Sequence, residues 1–587
     1  MKITCRLGAA LLLGFIGHAA AQGVPETEMK SILAEFDGYL TATDPIRAEQ
    51  RGDLAALPLW PDESPQAIAG YRATLLDIQQ RLNRLAGARL SAEDALNRDL
   101  LLERVYLDLT GFDFDEARIE INTGDGFFTV PAYAADGVIL RSETEARAWI
   151  RKIAALPAYY AIEIENIRRG IKSGWVRPRL VAQTVTKALR TQADLAPESH
   201  TLLRPLAALP KSVPAEVQAR LRAEALQVVK TQVKPAERAA AEFMEREYVP
   251  RSATTIGIVD LPADGNRTGL AYYDYVIRRH ASTRMSPQEI HQLGLREVAR
   301  IRKEMEALLA GIGFKGSFAE FTEFLRSDPQ FRARDVDDFT TRVRDLGKQV
   351  DALLPQYFRT LPRLTYGVRK VPPEMKDSSS GYNPGSPEQG VAGTVLINPD
   401  APEHSPMYGV PAWFVHEGVP GHHLQIALAQ ERFDLPKFRR TDDINAYVEG
   451  WALYSEHLAV EMGVYRTPYE DFGRLSLEMW RACRLVVDPG MHAMGWPREQ
   501  AVAYLRDNTA LSQATIDREI DRYIGWPAQA LGYKIGEIRF RELRAKAEAA
   551  LGPKFDVRDF HDAILVDGPM PLDILEAQVA RWIKSRQ

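Results

Sequence analysis

Side chains that could bind a metal ion stand close together in HEGVPGHH, which runs from His416 to His423. Two imidazoles one helical turn apart can bind the same ion, and a carboxylate beside the first can act on a water molecule held there. In the common form of this pattern, HExxH, the second histidine would fall where Pro420 stands here. Proline cannot bind a metal ion, so another histidine would have to complete the pair.

Which histidine completes the pair depends on how the helix accommodates Pro420 and Gly421. Pro420 lacks the N–H that would bond to the carbonyl group of His416, and Gly421 is conformationally free, so we expect the helix to kink or bulge here. In an unbroken helix His423 would return to the face of His416, because seven residues are nearly two full turns. In a bulged helix His422 takes that place instead. The residues alone leave both arrangements open.

A second acidic segment, NAYVEGWALYSEHLAVEMG, begins at Asn445. Its apolar residues would bury this helix, so Glu449 in their midst needs a partner, and a metal ion would supply one. Two histidines and one carboxylate form a zinc site with one coordination position left for water. The charged residues Glu456, His457 and Glu461 lie at helical spacing, which is typical of a solvated helix face.

Four motifs make the chain resemble the bacterial family called domain of unknown function 885. They are HEGVPGHH from His416, EGWALY from Glu449, DPGMHAMGW from Asp488 and PAQALGYKIG from Pro527. The resemblance extends over nearly the whole mature chain. That family is similar to the helical gluzincins, which are zinc peptidases such as angiotensin-converting enzyme, thimet oligopeptidase and the Taq-type carboxypeptidases.

The resemblance implies a mainly α-helical fold with two lobes, a deep central channel and zinc at the floor of that channel. The gluzincins carry the pattern HE-x-GH-x-L, and its GH-x-L part matches residues 421–424 if the insertion lies before the glycine. On that match, Zn2+ is bound by His416, His422 and Glu449.

The expected reaction is hydrolysis of a peptide bond with Glu417 as general base. Zinc polarises the scissile carbonyl and lowers the pKa of its bound water, and Glu417 takes the proton and passes it to the leaving amine. In the gluzincins a tyrosine, often with a histidine, donates to the oxyanion. Tyr533 and His492 are the matching candidates here. A packed core tyrosine and a capping histidine are the alternative interpretations.

Short β-branched runs over residues 363–368 and 393–398 predict a small sheet beside the metal helix. The run over residues 394–398 is a candidate edge strand that could hold an extended peptide substrate by main-chain pairing. Its residues are Thr394, Val395, Leu396, Ile397 and Asn398. A plain structural strand is the alternative.

Most of the chain has the apolar spacing of amphipathic helices, so we expect a single helical unit over residues 22–587. Turn-rich sequence predicts a lobe junction near residues 250–285, and the metal-site region covers residues 390–540. The capping box Ser286-Pro287-Gln288-Glu289 predicts the start of one long helix.

The beginning of the chain predicts export. Basic residues, an apolar stretch over residues 7–16 and the small residues Ala19-Ala20-Ala21 form a secretory signal peptide over residues 1–21. A membrane anchor is the alternative, but the apolar stretch is too short for one. We therefore expect a periplasmic or secreted protein without a membrane span.

The composition is that of a soluble globular protein, with 45% hydrophobic residues, 26% charged residues and a formal net charge of −5. Because positive and negative charges are interspersed, no basic face is indicated and nucleic acid is not an expected partner. Once the signal peptide is removed only Cys483 remains, so no internal disulfide can form, and we expect this thiol in the core.

Two other functions fit the same residues. A peptide-binding protein could keep the fold and have lost hydrolysis, although the intact Glu417 argues against such a loss. A zinc hydrolase could also act on a non-peptide amide, which the same residues would serve equally well.

Overall fold

The computed structural model of the protein describes residues 12–371 and 380–587. The predicted signal peptide lies mostly outside these residues, and its last residues begin the first helix. Within these ranges, every helix is too short or too polar to cross a membrane.

The described chain is 71% helix and 4% strand, which confirms the predicted fold class. The helices that precede the predicted capping box are α1 (Leu12–Thr43), α2 (Pro45–Gln50), α3 (Pro65–Arg84), α4 (Ala92–Phe114), α5 (Val130–Gly137), α6 (Glu143–Ser173), α7 (Arg179–Asp194), α8 (Arg204–Ala207), α9 (Ala215–Val228), α10 (Lys234–Phe243) and α11 (Gly269–Ala281).

The remaining helices follow the capping box. They are α12 (Pro287–Ile312), α13 (Phe318–Ser327), α14 (Val336–Asp351), α15 (Leu354–Tyr357), α16 (Ala401–His404), α17 (Val410–Glu417), α18 (His422–Gln430), α19 (Lys437–Thr441), α20 (Asn445–Glu461), α21 (Pro468–Ala493), α22 (Arg498–Asn508), α23 (Gln513–Gly525), α24 (Gly532–Leu551), α25 (Val557–Leu565) and α26 (Leu572–Arg586).

Helix α12 begins where its capping box predicts. The N–H of Glu289 donates to Ser286 Oγ at 3.3 Å, and the N–H of Ser286 donates to the Glu289 carboxylate at 2.8 Å. These two bonds satisfy N–H groups that have no partner inside the helix.

Buried apolar side chains form two separate clusters, and helices α12 and α21 contribute to both. On α21, Leu485 belongs to the first cluster and the next residue, Val486, to the second. Cys483 is buried in the second cluster, as its sequence context predicts. The two packed helices therefore lie between two cores, which agrees with a two-lobed molecule. The lobe junction near residues 250–285 stays a prediction.

The sheet contains β1 (Tyr366–Lys370), β2 (Gly381–Asn383) and β3 (Gly393–Ile397), in the order β1-β3-β2. Strand β3 is central: Val395 lies opposite Val368 of the parallel strand β1 and opposite Tyr382 of the antiparallel strand β2. The prediction that residues 394–398 form an edge strand is therefore wrong. Burial on both faces is typical of a central strand, and a three-residue partner such as β2 is too short to detect from sequence.

Candidate metal centre

The helix that carries the first histidine breaks completely at the Pro-Gly pair. Helix α17 ends at Glu417 and α18 begins at His422, and the N–H of Gly421 donates to the carbonyl group of Val415 at 2.9 Å. A Cβ atom at Gly421 would overlap the carbonyl oxygens of His416 and Val415, so only glycine fits this turn. The predicted interruption of the helix is confirmed.

This break brings together donor atoms of His416, His422 and Glu449. The Nε2 atoms of His416 and His422 lie 3.4 Å and 3.5 Å from Glu449 Oε2. Two donors that each lie about 2.0–2.2 Å from a tetrahedral zinc ion are about 3.4 Å apart, so this spacing fits one ion. Among the described residues, no other group of three potential ligands is packed as closely.

The electrostatics of these three residues also fit a cation. Glu449 Oε2 and His422 Nδ1 are buried without a hydrogen-bond partner among the described residues. Burial alone would raise the pKa of Glu449, but the imidazoles of His422 and His416 hold it well below its usual value. The carboxylate is therefore ionised and lies between two imidazoles, and two histidines with one carboxylate are a donor set that suits zinc.

Glu456 orients the first histidine. Its Oε1 lies 2.9 Å from His416 Nδ1, and its exposed fraction is only 1%. Burial lowers the pKa of His416, but the carboxylates of Glu449 and Glu456 outweigh it and raise that pKa to about 9. A carboxylate on Nδ1 fixes the ring and directs Nε2 toward a metal ion. The prediction that Glu456 lies on a solvated face is wrong, whereas Glu461 is exposed and pairs with Arg544 at 2.8 Å.

The three candidate ligands line a cavity of about 980 Å³. Glu417 lies on the same wall, where its Oε2 accepts the N–H of Tyr382 at 2.9 Å. Tyr382 belongs to strand β2, so this edge strand positions the predicted base. Tyr382 was not among the predicted site residues, because nothing in the sequence of its three-residue strand marks it.

Tyr533 lies against the candidate metal centre from a different helix. Its ring is nearly parallel to that of His416, with centroids 6.4 Å apart, and it lines the cavity. Burial and the nearby Glu449 raise the pKa of Tyr533 to about 12, so its hydroxyl keeps its proton. None of the described residues forms a hydrogen bond with this hydroxyl, which therefore remains able to donate to a substrate.

Close packing of two glycines holds Tyr533 and Glu449 on one wall. A Cβ atom on Gly450 would lie 2.5 Å from the Cα atom of Gly536, and one on Gly536 would overlap the carbonyl oxygen of Ala446. Helices α20 and α24 therefore approach each other backbone to backbone, directly beside Glu449 on one helix and near Tyr533 on the other. The motifs EGWALY and PAQALGYKIG each contain one of the two glycines.

A family model described as "Bacterial protein of unknown function (DUF885)" matches residues 45–579, a span that includes all four motifs and the three candidate ligands. The chain belongs to this family. It is similar to a "putative lipoprotein" from Colwellia psychrerythraea, at 29% identity and a TM-score of 0.89, with 96% of this chain and 100% of that chain covered. A "putative lipoprotein of unknown function" from Shewanella oneidensis shares the fold at 16% identity and a TM-score of 0.71. That match covers 94% of this chain and 99% of that chain. No curated protein matches the chain.

The other predicted site residues of this family member lie away from the cavity. His423 is buried, and its Nδ1 lies 2.9 Å from the Tyr382 hydroxyl, so it supports the wall. His492 is fully buried in α21, where its Nε2 bonds to the Tyr523 carbonyl oxygen at 2.9 Å. Burial lowers the pKa of His492 to about 4. Its position therefore corrects the prediction that it donates to an oxyanion. Residues 394–398 do not line the cavity either, whereas Gly381 and Tyr382 of β2 do.

Three arginines that the sequence analysis missed form the wall around Tyr533. Arg481 and Arg484 stand one turn apart on α21, Arg522 belongs to α23, and all three line the cavity. The spacing of Arg481 and Arg484 in RACRLVV places them on one helix face. That spacing was a usable signal, but arginines on an amphipathic helix are normally solvated, and only the fold turns these two inward.

Proposed function

We propose that this protein is an exported zinc-dependent hydrolase that cleaves peptide bonds. The observation that carries the proposal is the placement of two imidazole nitrogens 3.4 Å and 3.5 Å from one ionised carboxylate oxygen, at the wall of a cavity. His416, His422 and Glu449 would hold the ion. A set of three protein ligands leaves a coordination position open, as catalytic zinc sites require.

The chain's own residues supply the remaining roles. Glu417, which the Tyr382 N–H holds on the cavity wall, accepts a proton from the attacking water and transfers it to the leaving amine. Tyr533 donates its free hydroxyl to the oxyanion that develops on the scissile carbonyl. Glu456 accepts the Nδ1–H of His416 and so keeps Nε2 available. Bound zinc would supply a Lewis acid that polarises the carbonyl and makes water more acidic.

The cavity and the relatives support the substrate and the location. A volume of about 980 Å³ lies at the upper end of the range of ligand pockets and can hold several peptide residues. The substrate chain would run past Gly381 and Tyr382, because these residues of β2 line the cavity and β3 does not. The predicted signal peptide and the description of two structural relatives as lipoproteins favour a location in the cell envelope or outside it.

The test combines metal analysis with cleavage. Purified mature protein should bind one zinc ion per chain, His422→Ala should lose most of it, and the matched variant His423→Gln should keep it. The wild type should cleave a peptide library, lose activity to a chelator and regain it with added zinc. Zinc binding that survives His422→Ala but not His423→Gln would overturn the ligand set. A zinc protein that binds peptides without cleaving any would favour the peptide-binding alternative.

A further inference from the structure

Arg481 is a buried guanidinium whose donors are mostly unused. The residue is 6% exposed and lines the cavity. Its Nη1 forms one long hydrogen bond of 3.4 Å to the Leu477 carbonyl oxygen, and its Nε has no partner among the described residues. The nearest carboxylate oxygen, Glu456 Oε1, is 3.9 Å from Nη2 and already bonds to His416. A buried guanidinium with so few hydrogen bonds destabilises the folded protein unless an anion accepts its remaining N–H groups.

Arg484 presents a second incomplete guanidinium one turn further along the helix. It is 3% exposed, its Nε donates to the Tyr523 hydroxyl at 2.8 Å, and its Nη2 donates to Glu519 at 3.2 Å. These bonds fix the side chain, while Nη1 is buried without a partner among the described residues. The Arg484 side chain is therefore fixed in place, and its Nη1 is still available as a donor.

Both guanidinium groups flank the tyrosine of the metal centre. The central carbon of Arg484 lies 4.3 Å from the ring centroid of Tyr533, and that of Arg481 lies 6.0 Å from it. Since the Tyr533 ring stacks on His416, the two arginines are close to the position where a scissile bond would lie. Glu519 also pairs with Arg522 at 3.0 Å, so it does not neutralise Arg484 alone. The wall next to Tyr533 carries an excess of positive charge.

We propose that Arg481 and Arg484 bind the free C-terminal carboxylate of the peptide substrate, so that the enzyme releases residues from the C-terminal end. This inference rests on the proposed peptidase function and adds its substrate class. A planar carboxylate can accept two parallel N–H bonds from a guanidinium, which matches the unused donors here. An acidic substrate side chain offers the same chemistry, so the experiment has to separate the two sources.

The test measures binding by calorimetry and keeps the substrate intact with the Glu417→Gln background. Three probes are compared: N-acetyl-Phe-Ala-Ala as the free acid, the same peptide as the C-terminal amide, and N-acetyl-Phe-Asp-Ala amide. The free acid should bind roughly 10- to 100-fold more tightly than either amide, the usual effect of hydrogen bonds to a charged group. Adding Arg481→Gln should abolish this preference. Arg518→Gln should retain it, because Arg518 is an exposed arginine on the same cavity.

Each contrary result has one meaning. Equal binding of the free acid and its amide would overturn the inference. Tight binding of the Asp-containing amide would also overturn it, because the two arginines would then bind an acidic side chain of the substrate. A loss of affinity for all three probes alike in Arg481→Gln would indicate a structural role and also overturn it. Arg481→Lys, which keeps the charge but not the paired donors, should lose most of the preference and serves if Arg481→Gln does not fold. If the wild type binds the free acid selectively but never cleaves peptides, the carboxylate site at Arg481 and Arg484 is supported and the proposed hydrolysis is refuted.

Discussion

A Pro-Gly pair precedes a histidine in two motifs of this chain, yet the two segments have opposite structures. In GVPGHH the helix breaks, and His422 faces the cavity beside His416 and Glu449. In DPGMHAMGW helix α21 continues through Pro489 to Ala493, and its histidine is fully buried. One segment builds the candidate metal centre, and the other builds the core.

Packing decides between these outcomes. Gly490 faces the indole ring of Trp496, and the backbone N–H of Trp496 donates to the Gly490 carbonyl oxygen at 2.9 Å. Helix α21 is buried between the two hydrophobic clusters. The first segment has a different constraint, because the N–H of Gly421 reaches back to Val415 and no side chain fits there. Residue types that look alike in sequence therefore acquire separate roles from their surroundings.

The largest effect that the first segment predicts is the loss of turnover in Glu417→Gln. Glutamine can still accept the N–H of Tyr382 but cannot take a proton from water, so cleavage should fall by roughly 100- to 10,000-fold. Zinc content should stay at one ion per chain. Zinc analysis and peptide cleavage on one preparation measure both quantities. Cleavage within about tenfold of the wild type would remove Glu417 from the mechanism.

The sequence analysis named Tyr533 as the oxyanion donor and His492 as a second candidate, and the structure separates the two residues. Tyr533→Phe removes a free hydroxyl at the cavity, so cleavage should fall by about 100-fold, as when other oxyanion donors are removed. The thermal midpoint should change little, since no described residue bonds to this hydroxyl. His492→Gln should leave the cleavage rate within about twofold of the wild type. A reversal of these two rate effects would return the role to His492.

The sequence predicted the parts of the fold and the site that depend on local chemistry. Helical periodicity, the capping box and the interruption at Pro420-Gly421 follow from properties of single segments, and the structure confirms them. The choice of His422 over His423 was open in the residues and required the family resemblance. The structure then placed His422, not His423, beside Glu449.

The remainder depended on contacts between distant segments. The short strand β2 occupies the edge that the sequence analysis assigned to residues 394–398, and Tyr382 of that strand holds Glu417. Glu456 lies seven residues after Glu449, and charged residues at helical spacing usually lie on a solvated face. This helix is instead buried on most sides by segments that are distant in the sequence. Long-range packing of this kind leaves no local signature in the chain.

The two glycines provide a direct comparison of the two segments. In Gly421→Ala the new methyl group meets backbone oxygens that cannot move aside, so the variant should lose about 1–3 kcal/mol of stability and much of its zinc affinity. In Gly490→Ala the methyl group would lie 2.7 Å from the Trp496 ring. The free energy of unfolding should therefore also fall by about 1–3 kcal/mol, while zinc affinity persists. Thermal unfolding and zinc titration test both. Unchanged zinc affinity in Gly421→Ala would mean that the break does not position His422.

The smallest expected effect concerns the buried histidine of the second segment. Burial lowers the pKa of His492 from 6.5 to about 4, so the folded protein keeps it neutral while the unfolded chain takes up a proton below about pH 6.5. The free energy of unfolding should therefore fall as the pH decreases from about 6.5 toward 4.

His492→Gln can still donate to the Tyr523 carbonyl group but does not titrate, so between pH 7 and pH 5 it should lose about 1–2 kcal/mol less stability than the wild type. Every other group is the same in both proteins, so its contribution to the pH dependence cancels in this comparison. Denaturation at the two pH values measures the difference, and zinc content should be equal in both proteins. An identical pH dependence would show that His492 has an ordinary pKa in the folded protein, and a loss of zinc would tie the second segment to the metal centre after all.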